Sequence, residues 1–166
     1  MDLESVIEQL DYQGEAIAAL AEGLNQQEAD WRPSEEEWSV RQVFAHMVRE
    51  EIVDFRRHLL DAFKDAAPGM NLKREFEVEE GQFELAELVE MFAEAREQSL
   101  DWLAELDDPD WGLEVKMPWG GTLKAGDILI SWPAHDLLHL RQLVALRFGI
   151  TEAAGKPYDI RYAGEW

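Results

Sequence analysis

Cysteine is absent from the chain. That excludes a disulfide framework, a thiolate metal ligand and a cysteine nucleophile. Basic residues are scarce: fifteen Lys and Arg face thirty-six Asp and Glu, for a net charge of −21. A field of that sign repels phosphate backbones and anionic lipid, which argues against general nucleic-acid or membrane binding. No apolar run approaches the length of a membrane span. The start, Met1-Asp-Leu-Glu-Ser5, lacks the basic residues of a secretory signal. A soluble cytoplasmic protein is the expectation. Histidine occurs four times, and its placement carries the most information.

Hydrophobic residues make up 46% of the 166 positions, enough for one domain, 1–166, with a real core. Repeats, low-complexity tracts and dividing linkers are missing. Four helical segments stand out. Leu3, Ile7, Leu10, Ile17 and Leu20 are spaced for one buried stripe over about 3–24. Ser39 is a natural cap for a second helix running to about Ala66, with Val40, Val43, Phe44, Met47, Val48 and Phe55 on its apolar face. Pro68-Gly69 stops it. A third helix spans about 83–106. The stretch between the second and third is longer than a bundle hairpin needs and suits a crossover.

Leu113-Glu-Val-Lys-Met117 alternates as a short strand or hairpin would. Thr122 is placed to cap a fourth helix ending near Phe148, with Pro133 as a kink and Gly149 as a stop. The aromatic tail, 156–166, is expected to pack back on the bundle. The fold class is all-α: a four-helix bundle.

On the fourth helix, Ile128, Trp132, His135, His139, Gln142 and Leu146 share a face at about 100° per residue. His135 and His139, four apart, lie one above the other. Two imidazoles on a core face need partners. Carbonyls or water would serve, and so would a metal ion. His46 sits at the edge of the second helix's apolar stripe and can face a seam. Two nitrogens from one helix and a third from another would leave coordination positions open. His58, twelve residues beyond His46, is about 18 Å further along one helix and reads as a surface or packing residue.

Glu50, one turn after His46, has three readings besides an ordinary outward carboxylate. It is a fourth ligand, an acceptor from an imidazole N–H, or the catalytic base. Asp136 points about 100° away from His135 and is not expected to ligate. Gln142 is the candidate cofactor-binding residue, placed to reach a ligand of the ion or to line the seam. Arg41, Arg49 and Arg141 are candidates to hold an anionic cosubstrate, against the ordinary reading as solvated charges.

Trp31-Arg-Pro33, Trp38-Ser-Val-Arg-Gln-Val-Phe-Ala-His46, His135-Asp-Leu-Leu-His139-Leu-Arg-Gln142 and Tyr162-Ala-Gly-Glu-Trp166 together resemble the DinB-like family. The resemblance implies a four-helix bundle with a long crossover between helices two and three. It implies a divalent metal, zinc or nickel, held by His46, His135 and His139, and a homodimer. Relatives include transferases using low-molecular-weight bacterial thiols and a thiol-dependent isomerase. Three readings compete. One is a metal-dependent enzyme, either a thiol-dependent S-transferase or a hydrolase using metal-activated water, acting on a small molecule. The second is a non-catalytic metal-binding bundle in which the ion pins helices together. The third is an interaction module whose histidines bind no metal, for which the seven tryptophans speak.

Overall fold

The computed structural model describes residues 2–63, 82–117 and 119–164. Six α-helices and two strands follow one another: α1 (Leu3–Ala19), α2 (Gln26–Ala29), α3 (Val40–Val53), α4 (Phe55–Ala62), α5 (Leu85–Ala104), β1 (Glu114–Lys116), β2 (Thr122–Lys124) and α6 (Ala125–Ala154). The chain is mostly helical, and α1, α3–α4, α5 and α6 pack against one another around the core. The predicted Pro68-Gly69 stop and most of the predicted crossover lie outside the described residues. No described helix is long and apolar enough to cross a membrane.

Ser39 caps α3 as its chemistry suggests. Its hydroxyl accepts from the Gln42 N–H, and the Gln42 side chain accepts from the Ser39 N–H. The second predicted helix is, however, two helices. The backbone leaves helical geometry at Asp54 (φ −114°, ψ −94°), where neither Pro nor Gly marks a break. The Asp54 carboxylate pairs with His58 one turn on, and the Asp54 N–H still donates to the Glu50 carbonyl and the His58 N–H to the Asp54 carbonyl.

The hairpin forms in register Glu114–Lys124, Val115–Leu123 and Lys116–Thr122. Gly120 and Gly121 turn it with φ of 95° and 87°, which a side chain would resist. Thr122 therefore belongs to β2 and does not cap the last helix. The cap is Lys124, whose N–H donates to Asp127.

Helix α6 does not stop at Gly149. A Cβ there would lie 2.5 Å from the Trp31 ring, so this glycine makes room for an indole. Gly149→Ala tests the assignment. At an exposed helix position alanine would stabilise by about 1 kcal/mol. Here the clash is expected to win, at a net loss of about 1–3 kcal/mol in thermal unfolding. A raised melting temperature would refute the packing role. Helix α6 runs on to Ala154, and of the tail aromatics expected to pack back, Tyr158 and Tyr162 are exposed. Trp166 lies outside the described residues.

The core has two apolar clusters. One holds Ile17, Phe44, Phe92 and Leu143, the other Leu10, Leu59, Trp102 and Trp132. On each long helix a buried polar residue separates them: Gln13 on α1, Glu51 on α3, Arg96 on α5 and Asp136 on α6. The buried stripe of α6 is thus rotated from the predicted one. Asp136 is fully buried, while His135 sits at the edge.

Arg96 joins all four helices. It donates to the Leu10 carbonyl (2.6 Å), to both oxygens of Asp136 (2.7 and 3.0 Å) and to Glu51. Burial alone would lower its pKa. Glu51 and Asp136 outweigh that and hold the guanidinium above its ordinary value. Burial raises both carboxyls in turn, against the pull of Arg96.

Candidate metal centre

Helices α3 and α6 bring the predicted histidines together. His135 Nε2 lies 3.3 Å from His46 Nε2 and 3.1 Å from His139 Nε2. One ligand nitrogen from each of the three falls within 4.8 Å of the others. Asp136, next in sequence to His135, is locked to Arg96, and Glu51 locks α3 to the same guanidinium. The buried ion network therefore sets the rotation and register of both helices that carry the imidazoles.

Tautomers can be assigned around the cluster. His139 Nδ1 is 2.9 Å from Gln142 Oε1. An amide oxygen only accepts, so His139 carries its proton on Nδ1 and turns the Nε2 lone pair toward His135 and His46. The single Nε2 of His135 cannot donate to both neighbours at once. A cation among the three lone pairs removes that conflict. Tetrahedral zinc with bonds of about 2.0–2.1 Å sets its nitrogens roughly 3.3 Å apart, close to the two spacings that His135 makes. The residues present fit a divalent ion.

Burial pushes the imidazoles of His46 and His135 down to about 4 from 6.5, and positive neighbours add to the effect. His139 is also lowered by burial, partly offset by its bond to Gln142. All three are neutral ligands at neutral pH. In the unfolded chain they would protonate near 6.5. Between about 6.5 and 4, His46 and His135 bind more protons in the unfolded state, so their contribution to stability is lost as pH falls through that window, while the raised Glu50 carboxyl acts in the opposite sense. Metal-free His135→Gln is therefore expected to lose less of its urea midpoint across that window than the wild type. Parallel profiles of the two proteins would contradict the burial argument.

Trp38, on the loop before α3, covers the cluster. Its ring centroid is 5.0 Å from that of His46 and 6.4 Å from that of His139, with the latter pair parallel to within 2°. Phe55 packs 5.2 Å from His135 and stacks on Trp132. Beside Trp38 opens a cleft of about 350 Å³ lined by Pro33, Glu36, Glu37, Trp38, Gln142, Ala145 and Leu146. It shares two residues with the surroundings of the histidines.

Glu50 lies across His46 from the point of convergence. Its Oε1 is 3.7 Å from His46 Nδ1, the nitrogen not aimed at the cluster, and accepts from Arg49 at 2.7 Å. Burial and the neighbouring Asp54 push its carboxyl up to about 7. It shares a hydrogen bond with Asp54, which also pairs with His58 at 3.2 Å. His58 thus belongs to a partly buried carboxylate–imidazole chain and sits edge-on to Trp119. Arg41 is paired with Asp30 at 2.6 Å. Neither it, Arg49 nor Arg141 lines the cleft.

Sequence reasoning missed the Arg96–Glu51–Asp136 network. The available signal was an arginine on the apolar face of α5, at the 3–4 spacing from Phe92 and Ser99.

The fold and this site define a helical bundle whose three imidazoles can hold one metal ion. The sequence pattern of the DinB superfamily matches residues 9–143, and the chain belongs to that superfamily. No curated protein matches the chain.

Proposed function

We propose that the protein is a divalent-metal-dependent enzyme acting on a low-molecular-weight thiol, with His46, His135 and His139 as the metal ligands. The observation carrying this reading is the open cleft beside three converging imidazole nitrogens. A purely structural ion would be closed off by a fourth protein ligand, and Glu50 faces the other nitrogen of His46. Bound there, zinc or nickel supplies Lewis acidity that lowers the pKa of a coordinated thiol or water.

The remaining tasks fall to the chain. Gln142 fixes the His139 tautomer. Trp38 and Phe55 shield the cluster from bulk water. Glu50, 3.7 Å behind His46 Nδ1, supports that ring electrostatically from the side away from the ion.

A panel of small thiols offered to metal-loaded, tag-free protein with a generic aryl halide tests this. Thioether formation is expected, abolished by chelator and reduced about 10-fold in Glu50→Gln, a typical loss when the group behind a ligating histidine is changed. Firmly bound metal with no thiol consumed, or water consumed in its place, would turn the reading to the non-catalytic bundle or to the hydrolase.

A further inference from the structure

The same cleft has a charge that the proposed activity does not require. Glu36 and Glu37 stand in its wall, and among the described residues no basic side chain lines it. Glu37 is held by the Ser34 hydroxyl, which donates to one of its oxygens at 3.2 Å. Trp38, 40% exposed, offers its indole to the same space. Of the arginines considered for an anionic cosubstrate, Arg41 is paired with Asp30 and Arg49 with Glu50.

An aromatic face beside carboxylates attracts a cationic group, through the ring quadrupole and through charge. It repels a carboxylate or phosphate. We infer that the cleft formed by Glu36, Glu37 and Trp38 is a recognition subsite for an ammonium or guanidinium group, so that the small molecule reacting at the histidines is a cation and not an anion. This rests on the proposed function only in taking the cleft as the substrate's entrance. It is the opposite of the reading in which Arg41, Arg49 or Arg141 holds an anionic cosubstrate. The wall residues Pro33, Ala145 and Leu146 bring no charge and suit the apolar part of such a molecule.

Charge selection can be read without metal and without turnover. The probes are phenethylammonium and 3-phenylpropionate, similar in shape and opposite in sign. Ligand-observed NMR titration of the metal-free, full-length protein is expected to show the ammonium binding at least tenfold more tightly. The Glu36→Gln/Glu37→Gln variant should narrow that preference to about twofold. A control pair on the exposed face of α5, Glu90→Gln/Glu94→Gln, should leave it unchanged, which separates the cleft from the general acidity of the chain. Trp38→Leu should weaken the ammonium and not raise affinity for the carboxylate.

Equal binding of the two probes, binding of neither, or a preference that survives Glu36→Gln/Glu37→Gln would overturn the inference. Metal content of the cleft variant separates the two proposals. An intact ion with lost selectivity confirms the subsite alone. An intact ion with an unselective wild type sinks the subsite and leaves the metal centre standing.

Discussion

Replacing Arg96 with Met is expected to lower the free energy of unfolding by about 3–5 kcal/mol, the cost of breaking a buried ion network from one side. The physical reason is that Glu51 and Asp136 would remain buried, 1% and 0% exposed, with no guanidinium to face. The Leu10 carbonyl would lose its donor as well. Since small domains are stable by only about 5–15 kcal/mol, a large part of the total is at stake. Urea unfolding gives the number. A companion variant, Arg96→Met/Glu51→Leu/Asp136→Leu, should recover most of the loss, because apolar replacement of a whole buried ion set is often neutral or better. A loss under about 1 kcal/mol in the single variant would show that the network is solvated and does not hold the helices.

The second large effect concerns the ion. A ligand that binds only the folded state stabilises it by about 4 kcal/mol at a thousand times its dissociation constant. For a chain of this size that is a rise of roughly 8–16 °C in melting temperature. Zinc or nickel added to tag-free protein should produce such a rise, and chelator should reverse it. His139→Ala should abolish it. That variant keeps Asp136 and Arg96, so its metal-free fold should survive to be measured. An undiminished rise in His139→Ala would mean that the ion binds elsewhere, among the thirty-six carboxylates.

The histidine cluster was legible because three residue identities and one helical spacing suffice to propose it. His135 and His139 share a face at any helix rotation. The Ser39 cap and the hairpin were legible for the same local reason. What escaped depends on partners distant in sequence. Asp136 enters the core only because Arg96, forty residues earlier, neutralises it, and periodicity alone assigns a carboxylate to solvent. Gly149 resembles a helix stop until Trp31 is seen to occupy the place of its missing side chain. The break at Asp54 falls within one apolar pattern, with no Pro or Gly to announce it. The tail aromatics suggested burial by composition, yet Tyr158 and Tyr162 point to solvent.

X-ray absorption at the metal edge, on protein loaded with one equivalent of zinc, tests the central claim most directly. Three imidazole nitrogens at about 2.0–2.1 Å are the expected shell, with one contribution lost in His46→Ala. A shell dominated by carboxylate oxygen, unchanged by that substitution, would contradict the account.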